Sequence, residues 1–247
     1  MDNALYITMN GAQYSATAQA VHANNLANVN TPGFRADFEI LASQVVTGDG
    51  FDTSAFAITQ NPGSDFSQGQ IVPTGRDLDV AVQGRGWIAV QIATGGEAYT
   101  RAGSLHINSA GILVTDRGNP VLGNGGPIAL PPAAQIEIAG DGTISVLPLG
   151  QTAEALAQID RIRLVNPPER TLQKGNDGLF YLQDDAAVLP DANVRLASRS
   201  LESSNVNAVS ELTKIISFAR EFEMQIKMMN TANEIGQAGI RILQPVG

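Results

Sequence analysis

Two carboxylates in the segment GRDLDVAV, Asp77 and Asp79, are the residues whose types and spacing best suit acid–base chemistry. They flank Leu78, so on a β-strand both side chains would project from the same face. Paired carboxylates can catalyse glycoside hydrolysis when other polar groups converge on them. Only Arg76 stands beside this pair. We therefore interpret the pair as a solvated strand face, with a cell-wall carbohydrate-active protein as a less favoured alternative.

The remaining candidates for chemistry are few. His22 occupies a polar position in a predicted helix, and His106 alternates with Leu105 and Ile107, which predicts a solvated strand face. The segment Gln83–Trp87 (QGRGW) leads into a strand, so its glycines indicate a tight turn. The sequence has no cysteine, Walker A loop, nucleophile elbow or HExxH motif. It therefore predicts no catalytic residue, no metal site and no cofactor, and the protein is not expected to be an enzyme.

Composition excludes further classes of function. The 247 residues carry a net charge of −9 without a dense basic patch, which argues against nucleic acid as a partner. No apolar stretch reaches the roughly 20 residues of a spanning helix, so direct membrane insertion is not expected. The N-terminus begins with an acid and stays polar, unlike a cleavable Sec signal peptide.

The N-terminal end, from Ala4 to about Asn28, has the pattern of a helix. No charged residue occurs between Asp2 and Arg35. Small and apolar residues recur there at steps of three or four, which predicts one shallow face suited to close approach by another backbone. The stripe comprises Leu5, Met9, Ala12, Ala16, Ala20, Ala23 and Ala27. Pro32 and Gly33 then stop the helix.

The C-terminal end, from about Ser203 to Leu243, has a heptad pattern typical of a long coiled-coil helix. Asn233 is a polar residue within this heptad seam, and it is expected to fix the register between packed helices. Isolated helices need tertiary packing in water, so both ends are expected to bury these stripes against protein. The seam comprises Leu212, Ile215, Ala219, Phe222, Ile226, Met229, Asn233, Gly236, Ile240 and Leu243.

Between roughly Gly75 and Ser200 the apolar period changes to two, with frequent turn residues, which predicts β structure. Ile136 and Ile138 are expected to pair with Ile144 and Val146 across a Gly-Asp-Gly hairpin loop. The sequence thus predicts an α+β protein in which terminal helices flank an inserted all-β domain. We assign 1–35 plus 203–247 to a helical assembly domain, 36–74 to an extended linker and 75–202 to the β domain.

Four blocks of sequence resemble the flagellar axial proteins, which include the rod, hook and hook-associated proteins. ANNLANVNTPGFR resembles their N-terminal signature. GRDLDVAVQGRGWIAVQ and AYTRAGSLHINSAGILVTDRGNPVLG are similar to the β-domain motifs of the rod-and-hook group. LESSNVNAVSELTKIISFAREFEMQIKMM resembles its C-terminal helix.

The resemblance implies a structural subunit of the basal-body rod in the periplasmic space. It implies copies of itself and other rod subunits as partners, and type III export without a cleaved signal. In its short length the chain most resembles a proximal rod subunit. The alternative is a distal rod subunit or another axial subunit of the rod or hook. A monomeric binding module using the β domain alone is a separate hypothesis. The expected assembly residues are Leu5, Met9, Ala16, Ala23, Asn24, Asn25, Leu26, Asn28, Leu212, Ile215, Phe222, Ile226, Met229, Asn233 and Ile240.

Overall fold

A helix lies at each end of the chain, with strands between. The computed structural model describes residues 2–45, 55–148, 156–182 and 188–243. The helices are α1 (Asp2–Ala27) and α2 (Ala208–Leu243), and a short 3-10 helix spans Glu169–Thr171. The α+β class is thereby confirmed. The strands are β1 (Asp37–Val45), β2 (Ala55–Ser64), β3 (Ile71–Pro73), β4 (Val80–Gln83), β5 (Trp87–Gln91), β6 (Glu97–Thr100), β7 (Leu105–Ile107), β8 (Leu113–Thr115), β9 (Ala133–Ile138), β10 (Thr143–Pro148), β11 (Ala157–Arg161), β12 (Leu164–Val165), β13 (Leu172–Lys174), β14 (Phe180–Leu182), β15 (Arg195–Ser198) and β16 (Ser200–Glu202).

The chain divides into two compact units. The helical unit comprises Met1–Asn28, Ala36–Asp65 and Val206–Gly247, and the β unit comprises Val29–Arg35 and Phe66–Asn205. These limits differ from the boundaries predicted from sequence. Residues 29–35 belong with the strands rather than with the helices, and most of the predicted linker belongs with the helices.

In the helical unit, α1 and α2 pack antiparallel. Residues late in α1 meet residues early in α2: His22 contacts Glu211, whereas Gly11 lies against Gln225. A Cβ on Gly11 would stand 2.9 Å from the Gln225 side chain, so the missing side chain lets the helices approach closely.

The face of α1 that is buried within the chain is not the predicted stripe. It is lined by residues that recur at steps of three and four, as a single helix face requires, but four of the six are polar. The predicted stripe is buried only at Ala12, and its larger members stay exposed. The buried positions are Thr8, Ala12, Ser15, Ala18, His22 and Asn25.

Residues 37–64 were predicted to be part of an extended linker, but their described parts form an antiparallel hairpin of β1 and β2. Asp37 pairs with Ser64 and Val45 with Ala55. Neither strand alternates strictly between apolar and polar residues, which is the pattern by which a half-buried strand is predicted. The Asn25 side chain binds the start of β1, donating to the Asp37 carbonyl at 2.7 Å and accepting from its N–H at 2.9 Å.

The β unit contains several small antiparallel sheets. The largest has the strand order β12-β5-β6-β14-β13, and a second has the order β11-β10-β9. The predicted hairpin is confirmed, because Ile138 pairs with Ile144 and Ile136 with Val146. Further pairs are β4 with β15, β3 with β16 and β7 with β8.

The period-two pattern of β5 sorts its side chains between two apolar clusters. Ile88 and Val90 belong to the larger cluster, whereas Trp87 and Ala89 belong to the smaller one, which also contains Phe180. These four residues of β5 are all buried, because the strand is covered on both faces. The preceding turn contains Gly84 and Gly86, which have φ values of 69° and 133°, as a tight turn requires.

Candidate assembly interface

The first turns of α1 expose large apolar side chains. Tyr6 and Ile7 are 53% and 51% exposed, and Leu5 and Met9 are also exposed. In a single soluble helix, residues of this type would face the core. The distribution is therefore inverted: within the described part of the chain, α1 turns small and polar residues inward and its larger apolar residues outward.

The second helix also leaves most of its apolar residues uncovered. Of the predicted seam, Leu212, Phe222 and Ile226 are exposed, and Ile215 and Met229 are half-buried. Asn233 is exposed, and the side chain of Ile240 lies outside the described residues. The other exposed apolar residues of α2 are Val209, Ile216, Met224, Met228 and Ile235.

The other α1 residues that were predicted to take part in assembly differ in their exposure. Ala16, Ala23 and Asn24 are exposed, and Leu26 and Asn28 are half-buried. Asn28 donates from Nδ2 to the Asn24 carbonyl at 2.9 Å, just after the last residue of α1. Asn25 is 1% exposed and serves contacts within the chain, so its side chain has no free surface to offer another subunit.

A buried polar junction centred on His22 was missed from the sequence. Nδ1 of His22 lies 2.6 Å from Oε2 of Glu211 on α2, and Nε2 lies 3.4 Å from Oε1 of Glu39 on β1. The His22 ring also stacks on Phe218, with centroids 5.4 Å apart. The spacing of His22 and Asn25, three residues apart on one helix face, was the available signal.

The carboxylate of Glu211 is the acceptor at this junction. Burial raises the pKa of a carboxyl, but hydrogen bonds from His22, Asn25 and Lys214 outweigh it and hold the pKa of Glu211 below its usual value. The Asn25 bond measures 3.2 Å and the Lys214 bond 3.2 Å. Such charge-assisted bonds fix the relative register of α1 and α2, because each donor reaches the carboxylate in one arrangement only.

The two aspartates proposed as an acid–base pair are engaged separately. Asp79 is buried in the turn before β4, where Thr74 donates to Oδ2 at 2.7 Å and Arg76 to Oδ1 at 2.9 Å. Asp77 is half-exposed and pairs with Arg199 at 2.8 Å. The solvated-face interpretation is therefore wrong for Asp79 and holds for Asp77. Each carboxylate is neutralised by its own arginine, and the two do not converge on a common point.

Metal-ligating side chains do not gather anywhere in the described ranges, where no group of three or more His, Asp or Glu residues has suitable geometry. His106 is exposed, as predicted, and lies 3.9 Å from Asp116. Over their described lengths, neither helix combines the length and apolarity needed to cross a bilayer.

Three family descriptions match the chain, in the order expected from the four sequence blocks. "Flagella basal body rod protein" matches residues 5–35, and "Flagellar hook protein FlgE/F/G D1 domain" matches residues 81–146. "Flagellar basal body rod FlgEFG protein C-terminal" matches residues 197–242. The matched regions include most of α1, much of the β unit and nearly all of α2.

Full-length relatives agree with these matches. The chain is 42% identical over 240 residues to flagellar basal-body rod protein FlgF of Escherichia coli K12, covering 95% of each chain. It is 34% identical over 250 residues to FlgF of Caulobacter vibrioides, covering 98% of each. It is 33% identical over 257 residues to flagellar basal-body rod protein FlgG of Agrobacterium fabrum, covering 94% of this chain and 96% of the relative.

Proposed function

Since the chain belongs to the family of flagellar basal-body rod proteins, we propose that its terminal helices are the surfaces by which it assembles. As a member of that family it is a structural subunit of the rod, located in the basal body and associated with other rod components. Its mechanism includes no chemical step, and the protein is not an enzyme. It transmits torque as part of a stiff axial shaft.

The observation that carries this proposal is the inverted polarity of α1. Tyr6, Ile7 and Met9 are exposed, whereas His22 and Asn25 are buried. Exposed apolar side chains gain about 25 cal/mol for each Å² removed from water, and copies of the chain or related subunits supply the covering surface. Leu5, Met9, Ala16, Ala23, Leu212, Phe222 and Ile226 are thus assigned to contacts between subunits, whereas Asn25 is assigned to contacts within the chain.

The unequal lengths of the two helices favour stacking along one axis. Because Gly11 lies against Gln225 and the helices are antiparallel, Asp2 falls opposite about residue 234, and α2 continues to Leu243. The last two turns of α2 therefore extend past the start of α1. Head-to-tail contacts made by such an extension are heterologous and generate an open helical filament.

The pairing of α1 with α2 within one chain buries mostly small and polar side chains, so it contributes little apolar surface on its own. We expect the two ends to be disordered in a dilute monomer and to become ordered when neighbouring subunits cover them. A chain with unfolded ends suits passage through the flagellar type III export apparatus into the periplasmic space, without a cleaved signal peptide.

We further propose a proximal position within the rod, on the basis of relative similarity. Identity to the FlgF relatives reaches 42%, whereas identity to the FlgG relative of Agrobacterium fabrum is 33%. This difference supports the proximal rod, with a distal position as the alternative.

The test substitutes an acid for exposed apolar residues of α2. Phe222→Asp and Ile226→Asp are expected to abolish rod assembly in cells that lack the native protein, because burying an unpaired carboxylate costs several kcal/mol. The matched control is Ser217→Asp, which adds the same charge at an exposed polar position of the same helix. Normal rods carrying Phe222→Asp, with the variant present in isolated basal bodies, contradict the proposal.

A further inference from the structure

The carboxylate of Glu202, at the end of β16, is completely buried in the β unit and joins separate parts of it. Oε1 lies 2.6 Å from Nη2 of Arg35 and accepts from the Gly69 N–H at 3.0 Å. Oε2 accepts from Nη1 of Arg101 at 3.1 Å. Arg101 also donates to the Gly84 carbonyl at 2.6 Å and lies over the Trp87 ring.

Residues 29–35, which we call the strap, are fastened to the β unit around this carboxylate. The Gly33 N–H donates to the Glu202 carbonyl at 2.8 Å, and a Cβ on Gly33 would lie 2.3 Å from the Arg101 backbone. Nζ of Lys174 donates to the Arg35 carbonyl at 2.8 Å and lies 3.9 Å from the centre of the Phe34 ring. The strap is therefore packed and hydrogen-bonded along its second half.

The first and last residues of the segment 66–205 also lie beside the strap. Nδ2 of Asn205, the last residue of the unit, donates to the Ser67 carbonyl at 3.2 Å, and its N–H donates to the Phe34 carbonyl at 3.4 Å. The Ser203 N–H donates to the Gln70 carbonyl at 2.8 Å. The strap, the segment after residue 65 and the segment before residue 206 are thus tied together within one unit.

The buried cluster is not balanced in charge. Two guanidinium groups, exposed by 1% and 5%, share the single carboxylate of Glu202. Nε and Nη1 of Arg35 have no hydrogen-bond partner among the described residues, and its Nη2 contact is an ion pair without hydrogen-bond geometry. Burial lowers the pKa of Arg101, although the charge of Glu202 acts in the opposite direction. Removing Glu202 would leave two like charges facing each other, whereas removing Arg35 would leave a neutral pair.

We infer that Glu202, Arg35 and Arg101 form a clasp that holds the strap to the β unit before assembly. Order in the free chain then begins at about residue 29, and the N-terminal disorder expected before assembly is confined to the residues of α1. This inference rests on the proposed ordering of the terminal helices in one respect only: the contrast between α1 and the strap.

The test is amide hydrogen exchange, measured by NMR on the dilute full-length chain and its variants. In the parent, the Gly33 and Gly69 amides are expected to be protected. Glu202→Gln keeps the shape of the side chain and is expected to accelerate exchange at both amides by about 10- to 100-fold. The Val121 amide, which bonds to Leu113 in the core, serves as the internal reference and should change little.

Arg35→Gln supplies the matched comparison. It removes the anchor of the strap but leaves Arg101 paired with Glu202, so Gly33 exchange should accelerate while Gly69 and Val121 stay protected. The double variant Arg35→Gln, Glu202→Gln relieves the repulsion, so its Gly33 amide should exchange more slowly than that of Glu202→Gln alone. If these side chains acted only by packing, the Gly33 amide would instead exchange faster in the double variant than in Glu202→Gln alone.

Three results overturn the inference: an unprotected Gly33 amide in the parent, no acceleration in Glu202→Gln, or additive effects in the double variant. If Glu202→Gln unfolds the β unit, Arg35→Gln decides the matter through the contrast between Gly33 and Gly69. Exchange along α1 is recorded in the same spectra. Protected α1 amides would refute the proposed ordering on assembly without affecting the test of the clasp.

Discussion

Gly103 is the position in the β unit where the smallest change should have a large effect. Its carbonyl accepts from the Val80 N–H at 3.0 Å, and Val80 is fully buried at the start of β4. A Cβ built on Gly103 would stand 1.6 Å from the Val80 carbonyl oxygen and 2.7 Å from its carbonyl carbon. Non-bonded heavy atoms need about 3.5 Å, so Gly103→Ala forces the two backbones apart by roughly 2 Å.

The displacement lowers the stability of the β unit in two ways, by overpacking and by loss of a hydrogen bond. Overpacking a well-packed core costs about 1–3 kcal/mol. Loss of the Val80–Gly103 hydrogen bond adds about 1 kcal/mol. The pairing of β4 with β15 opposes any outward shift of Val80, so relaxation is restricted. We expect Gly103→Ala to lower the free energy of unfolding of the β unit by about 2–4 kcal/mol.

The assay is urea denaturation of the full-length chain, followed by the fluorescence of Trp87. This is the only tryptophan in the sequence, and it is buried in the β unit, so its signal reports that unit alone. Gly125→Ala is the matched control, because a Cβ there meets nothing within 4 Å and its φ is not left-handed. That variant should change stability by less than about 1 kcal/mol. Equal midpoints for the two variants would refute the close approach of residue 103 to β4.

Two further predictions concern strain and pH. Among the residues that the structure describes, Arg199 is the one non-glycine residue with positive φ, at 53°, so Arg199→Gly should be more stable than Arg199→Ala by about 1 kcal/mol in the same urea assay. Both variants lose the exposed pair with Asp77 equally, and a more stable alanine variant would contradict the strain. The pKa of Glu211 is lowered, so its bonds to His22 and Asn25 stabilise the folded state fully at pH values above its ordinary pKa of 4.5. That stabilisation is lost as the pH falls through the folded-state pKa of Glu211. Glu211→Gln should therefore weaken the acid dependence of the helical circular dichroism of isolated rods, and an unchanged acid midpoint would exclude this role.

The elements that could be predicted from sequence are those whose pattern lies within one short segment. The hairpin that joins Ile138 to Ile144 has alternating β-branched residues and a Gly-Asp-Gly loop only a few residues apart. The two terminal helices are long and periodic, which makes their existence clear even where their contacts are not.

The buried face of α1 could not be predicted, because steps of three and four fit more than one stripe on a helix of small residues. Ala12 belongs to both the predicted stripe and the observed one. The polar junction at His22 and the clasp at Glu202 were even harder to predict from the sequence. His22 and Glu211 are separated by 189 residues, and ion pairs across such distances have no periodicity. The β1–β2 hairpin was missed because neither strand alternates strictly between apolar and polar residues.

Polar and apolar contacts make different contributions to the helical unit, and the difference bears on how a rod subunit can be specific. Hydrogen bonds to Glu211 and Asn25 are directional, so they allow one register between α1, α2 and β1. Apolar contacts are not directional, and a stripe such as that of Phe222 and Ile226 tolerates related partners. A subunit that must contact both its own copies and other rod proteins benefits from this arrangement. The chain defines its own helix pair by polar contacts, and its neighbours supply the apolar burial that stabilises the pair.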